Sequence, residues 1–256
     1  MFFNMPRIVV FDSGFGSLSI IKSIQQMIKS EIIYFADQKN FPYGTKSVSE
    51  LGKIIKSTIV RLEKKFEPDL IIIGSNTPSL LLKKIIKPKI IGVYPPLRQA
   101  VNKTKSDSIA ILATKSAIES NTLRDFIKKN VPKKIKVYPI NASSLVDLVE
   151  SGKFIYDKKF CKKKIEAVLL KPIITNNVDV VTLSSTHLPF LLPILKQIFP
   201  DIIFLDPACL VADQVVKKLK TKKSKRNSMK IFTSGNAKLF QEQLCKIGIK
   251  NMVKRL

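Results

Sequence analysis

Two stretches of this chain share one design, and that design leaves few folds open. Val178-Asp179-Val180-Val181-Thr182-Leu183 reads as a strand buried on both faces, because a run so nearly apolar or β-branched has no polar side to offer solvent. It ends in Ser184-Ser185-Thr186-His187-Leu188-Pro189, which holds the only histidine, and Leu191, Leu192, Ile194, Leu195 and Ile198 follow at helical spacing. Earlier, Asp69-Leu70-Ile71-Ile72-Ile73 runs into Gly74-Ser75-Asn76-Thr77-Pro78, with Leu80, Leu81, Leu82, Ile85 and Ile86 after it. Both turns lead from a buried strand into a helix, the place where open α/β sheets bind ligands and where helix N-termini favour anions. The interval from Ser75 to Ser185 suits two similar domains, and two such turns facing each other would line one cleft.

The rest of the chain keeps the same alternation. Arg7 to Phe11 is a short apolar strand; Asp12-Ser13-Gly14-Phe15-Gly16 follows, then Leu18, Ile20, Ile21, Ile24 and Met27 on one helical face. This Gly-x-Gly lacks the third glycine of a dinucleotide fingerprint, so taken alone the stretch reads as a turn with a helix cap. Ile32 to Ala36 is a second strand, and the polar loop from Asp37 to Ser47 carries Pro42-Tyr43-Gly44, either a plain turn or an aromatic hydroxyl placed to close over a ligand. Ser49 to Phe66 is amphipathic, and Lys89 to Tyr94 is a strand stopped by Pro95-Pro96. Strands at Ser108–Thr114, Ile135–Ile140, Ile202–Leu205 and Met229–Thr233 alternate with helices to the end. Such alternation predicts an α/β fold with parallel sheets. Lys217 to Lys230, rich in lysine and poor in apolar residues, reads as an exposed loop.

Composition limits the partners. No apolar run approaches the roughly 18 residues of a membrane span, and the first residues lack the basic and apolar regions of a signal peptide, so a cytoplasmic protein is expected. Cys161, Cys209 and Cys245 are an odd count at wide spacings, which argues against disulfides and against a zinc site. The net charge of +26 suggests nucleic acid, yet only six of the 45 basic residues are Arg, the type favoured for bidentate phosphate recognition. A solvated lysine surface is therefore expected, and no specific nucleic-acid partner.

Set in order, Phe11-Asp12-Ser13-Gly14, Tyr34-Phe35-Ala36-Asp37, Pro42-Tyr43-Gly44-Thr45-Lys46-Ser47, Asn76-Thr77, Ile91-Gly92-Val93, Ala113-Thr114-Lys115, Leu148-Val149-Glu150, Thr186-His187 and Thr233-Ser234-Gly235 resemble the cofactor-independent aspartate/glutamate racemase family, and within it the glutamate racemases. The resemblance spans nearly the whole chain. It implies two similar flavodoxin-like domains with parallel sheets facing across a central cleft, residues 1–97 with 208–256 forming the first and 98–207 the second. It implies interconversion of L- and D-glutamate to supply D-glutamate for peptidoglycan, with no cofactor and no metal, a small acidic amino acid as ligand, and a homodimer as one possible assembly. Asp12, Ser13, Tyr43, Gly44, Asn76, Thr77, Thr186 and His187 match positions that hold the amino acid. Asp12, Glu150 and His187 match positions that assist the two catalytic thiols flanking the substrate Cα.

Both thiol positions are serine here, Ser75 and Ser185. A free thiol has a pKa of about 8.5, whereas a hydroxyl behaving like water sits at about 15.7. Forming the base therefore costs roughly seven further units, about 10 kcal/mol. Pro95, Ala117 and Ser184 also replace residues common in the family. Three readings follow: a racemase working through Asp12, Glu150 and His187 or through hydroxyls; an inactive homologue that binds an acidic amino acid or a protein; and a basic protein recruited to nucleic acid or to a protein partner. Retention of the pocket residues favours the first two.

Overall fold

Alternating strand and helix signals predict parallel sheets, and the chain forms two. The computed structural model describes residues 5–219 and 226–256. It divides into two compact units, Met1–Val93 with Ala208–Leu256, and Tyr94–Pro207.

The first unit runs β1 (Arg7–Asp12), α1 (Leu18–Met27), β2 (Glu31–Ala36), α2 (Val48–Phe66), β3 (Leu70–Ile73), α3 (Asn76–Leu81) and β4 (Ile90–Gly92). The second unit contributes α4 (Leu97–Lys103), β5 (Ser108–Ala113), α5 (Lys115–Ile118), α6 (Asn121–Asn130), β6 (Lys136–Asn141), α7 (Ser143–Glu150), α8 (Lys153–Tyr156), α9 (Lys158–Thr175), β7 (Val180–Leu183), α10 (Leu192–Ile198) and β8 (Ile203–Leu205). The chain then returns to the first unit with α11 (Ala208–Lys218), β9 (Ser228–Thr233), α12 (Ala237–Lys246) and β10 (Val253–Arg255).

All six strands of the first sheet are parallel, in the order β10-β9-β2-β1-β3-β4. Residues of β1 alternate between its two faces. Val9 and Phe11 pack with Ile71 and Ile73 against Leu51, Ile55 and Leu62 of α2. Ile8 and Val10 point the other way and are equally buried. Each such side chain contributes roughly 1.5–3 kcal/mol on burial. The start of α2 is set by Ser47, whose Oγ accepts from the Glu50 amide at 3.2 Å. Its end falls at Glu67, in the left-handed region at φ 45°, just before Pro68.

The second sheet is also parallel, in the order β6-β5-β7-β8. Leu112 and Leu183 pack with Leu145 of α7, Leu169 of α9 and Leu195 of α10. On the other face Ile109 and Val180 meet Ala100 and Ile135. Pro139 is tolerated in β6 because that strand is an edge.

Three local expectations change. The helix after Ser75 stops at Leu81, and Lys83–Ile85 forms a separate 3-10 turn. The helix after His187 begins only at Leu192, behind a 3-10 turn over Leu188–Leu191. Pro189 and Pro193 each lack the amide that a continuous helix would need there. The lysine-rich loop is also shorter than Lys217 to Lys230, since α11 reaches Lys218 and β9 starts at Ser228; residues 220–225 lie outside the described residues. Among the described residues no helix is long and apolar enough to cross a membrane.

Candidate active site

In the first sheet the chain moves from β1 outward to β2, then crosses back to β3 on the other side of β1. The carboxyl ends of β1 and β3 thus form a topological switch point, where open α/β sheets hold ligands. Asp12 ends β1 and is fully buried, and its Oδ1 accepts from the Ser13 amide at 2.6 Å. Ser75, Asn76 and Thr77 follow β3 next door, with Ser75 extended at φ −140° and Asn76 opening α3. Gly74 is required here by close approach, since a Cβ would stand 3.2 Å from the Phe11 carbonyl and collide with Ser17.

Asn76 carries an unmet demand. It is buried, and neither its Oδ1 nor its Nδ2 has a hydrogen-bond partner. Leaving such a group orphaned costs roughly 1–3 kcal/mol, so an unused amide beside Asp12 and Ser75 suits a site that awaits polar groups.

The loop after β2 adds Tyr43. Its ring is buried and its Oη donates to Asp37 Oδ2 at 3.0 Å. Burial, then the nearby charges of Asp37 and Asp12, push this phenol well above its usual range, so it stays a neutral donor. Gly44 shares the same 3-10 turn, Tyr43–Thr45.

The second sheet repeats the geometry. The chain leaves β5 for β6 on one side and returns to β7 on the other. Ser184, Ser185, Thr186 and His187 follow β7 at that switch point, and all four are buried. Ser184 and Thr182 share a hydroxyl hydrogen bond of 2.9 Å. Glu150, the last residue of α7, places Oε1 2.6 Å from His187 Nε2. A carboxylate at this distance fixes the orientation of the ring. Asp147, one turn earlier on α7, has its carboxyl raised by burial and by Glu150, with His187 opposing.

Every candidate residue therefore falls at one of two places. Asp12, Ser13, Ser75, Asn76 and Thr77 share the carboxyl edge of the first sheet, with Tyr43 and Gly44 on the loop after β2. Glu150, Ser185, Thr186 and His187 come together in the second unit, the pair Glu150–His187 through direct contact. Among the described residues no three His, Cys, Asp or Glu side chains gather as a metal centre would need.

No protein-family model matches the chain. A glutamate racemase of Buchnera aphidicola subsp. Schizaphis graminum is 31% identical over 233 residues, 86% of this chain and 87% of that protein. This chain belongs to the glutamate racemase family. Glutamate racemase isoform RacE1 from Bacillus anthracis superposes with a TM-score of 0.85 at 25% identity, over 98% of this chain and 97% of that one. Escherichia coli glutamate racemase, solved with L-glutamate and the activator UDP-MurNAc-ala, shares the fold with a TM-score of 0.82 at 21% identity, covering 99% and 98% of the two chains. The two parallel α/β units thus share the fold of glutamate racemases.

Within this glutamate racemase-like fold, sequence reasoning passed over Ser79. Its buried hydroxyl donates to the Ser75 carbonyl at 2.7 Å and accepts from the Val93 amide at 2.9 Å, pinning the Ser75 turn to the segment after β4. A serine four residues past a strand-end serine was the available signal. Asp147 was passed over as well, though it stands three residues before Glu150 on the same helical face.

Proposed function

We propose that this protein binds glutamate through residues of its two switch-point turns and interconverts the enantiomers slowly, supplying D-glutamate for peptidoglycan. The reading is supported by one observation above the others: in a racemase fold, the turn after β7 holds a buried His187–Glu150 pair and the turn after β3 holds the unused amide of Asn76. Asn76, Thr77 and Thr186 hold the carboxylate and ammonium groups, and Tyr43 closes the loop over them.

Racemisation moves one proton off Cα on one face and adds one on the other. Serine alkoxides are too costly to be the bases, by about 10 kcal/mol relative to thiolates. The other groups at these turns that can carry a proton are Asp12, at the end of β1 beside β3, and His187, held by Glu150. Each hydroxyl then serves as a hydrogen-bonding relay, and turnover is slow because neither base was placed for the carbon itself.

The serines also favour a second reading, an inactive homologue that binds an acidic amino acid. Calorimetric titration with L- and D-glutamate, paired with proton NMR of Cα exchange in heavy water, separates the two. Exchange of both enantiomers supports the racemase. Binding without exchange selects the inactive homologue, and absence of binding removes both readings.

A further inference from the structure

Helix α9 is apolar on two sides. Cys161, Ile165, Leu169 and Ile173 recur one turn apart and form its buried face, packed with Leu112 and Leu183 of the second sheet. The helical repeat places Lys163, Ala167, Leu170, Lys171 and Ile174 on the opposite side, and all five are exposed. Leu170 is 43% exposed and Ile174 67%. Among the described residues α9 is the only helix that leaves two large apolar side chains open one turn apart, where a solvated helix would carry polar ones.

Positive charge surrounds this stripe. Residues 153–174 hold seven lysines and two acids. Both acids are engaged: Asp157 caps the helix by accepting from the Phe160 amide at 3.0 Å, and Glu166 lies 3.9 Å from Lys162. Lys153 and Lys164 hold their ammonium groups 4.3 Å and 5.6 Å from the centre of the half-buried Phe160 ring. Helix α9 leads directly into β7, so the end carrying Leu170 and Ile174 lies at the amino edge of the parallel sheet, opposite the Ser185 turn.

We propose that this outer face of α9 docks the protein onto an anionic phospholipid surface, lying on the membrane rather than spanning it. The face complements such a surface in two ways. Leu170 and Ile174 can enter the boundary between headgroups and acyl chains, while Lys159, Lys163, Lys164 and Lys171 flank them and meet lipid phosphates. Lysine suits this place because its long stem lies along apolar surface while the ammonium stays in water. Nucleic acid is the poorer match, since α9 has no Arg and no exposed aromatic ring to stack on a base. The attachment uses the second unit alone and does not depend on racemisation.

The whole protein is sedimented with vesicles of phosphatidylcholine alone, and with vesicles of equal parts phosphatidylcholine and phosphatidylglycerol, at physiological ionic strength. Expected is binding to the anionic vesicles and little to the neutral ones. Leu170→Gln with Ile174→Gln keeps every charge and a helix-compatible side chain, and should weaken binding about fivefold or more. Lys163→Gln with Lys171→Gln should weaken it to a similar degree. Lys128→Gln with Lys129→Gln removes the same charge from α6 and should leave binding within about twofold. All the substituted residues are exposed, and circular dichroism checks that each variant folds. Failure to bind anionic vesicles would overturn the proposal. So would equal weakening by the α6 variant, which means diffuse attraction by net charge, or unaltered binding by Leu170→Gln with Ile174→Gln. A native dimer that this last variant splits, with vesicles left unbound, would assign the face to a second copy of the chain instead.

Discussion

His187 Nε2 lies 2.6 Å from Glu150 Oε1, a bond that ties the turn after β7 to the last residue of α7. His187 is the only histidine, so its ring protons are unambiguous in an NMR spectrum. Glu150→Ala removes the carboxylate bonded to this ring nitrogen, so the ring's NMR signals should shift and broaden relative to the native protein as its orientation loosens. Unchanged ring signals would show that the pair does not hold the imidazole.

Ser75→Cys and Ser185→Cys together should raise Cα exchange and racemisation far more than either change alone. A thiol supplies a base within reach of neutral pH, and a racemase needs one on each face. Proton NMR in heavy water on the native protein, both single variants and the double variant provides the comparison. Rapid exchange by the native protein would mean that a group other than the hydroxyls already serves as an efficient base. A folded, glutamate-binding double variant with no gain would place the loss elsewhere, with Pro95, Ala117 and Ser184 the next candidates.

Ser79→Ala should destabilise the first unit by about 1–3 kcal/mol, because the buried Val93 amide loses its acceptor and the Ser75 carbonyl loses a donor. Urea unfolding reads this directly. The same variant should weaken glutamate binding, since the Ser75 turn would no longer be pinned from behind. Stability loss with unaltered binding would make Ser79 purely structural.

Glu31 gives the first unit an acid-sensitive clasp. Burial alone would raise its carboxyl, but bonds from Lys230 Nζ and Arg7 Nε, both 2.6 Å, outweigh it and hold the group below its ordinary value. A folded-state value lower than the unfolded one means that this stabilisation is present above the unfolded value, about 4.3. It is lost as pH falls through the folded value. Glu31→Gln should lower the urea midpoint near neutrality, and the difference from the native protein should shrink in acid. A constant difference across pH would argue against the charge.

Much of the architecture was legible because parallel strands buried on both faces leave an unmistakable trace. Leu70–Ile73 and Val180–Leu183 are nearly continuous apolar runs, and a polar turn followed by helical spacing marks their carboxyl ends. That trace located Ser75 and Ser185, and the switch points at β1/β3 and β5/β7 follow from strand order. The 3-10 turns at Lys83–Ile85 and Leu188–Leu191 were not legible, because i to i+3 and i to i+4 bonding differ little over one turn. Ser79 and Asp37 act through partners 14 and 197 residues away. No local pattern encodes those contacts; only the folded sheet brings them together.

Strand β9 pairs with β2 across roughly 200 residues, and the whole second unit is inserted between them. This arrangement dictates an order of assembly during synthesis. Residues of the second unit are contiguous, so it has everything it needs for folding before β9 has been translated. The first unit, although it starts earlier, must wait with the edge of β2 uncovered and Glu31 lacking Lys230 until the last strands arrive. An open parallel edge is prone to pair with other chains. The time between translating β2 and translating β9 is therefore the interval in which this protein is most vulnerable to misassembly, and the later domain is the one that folds first.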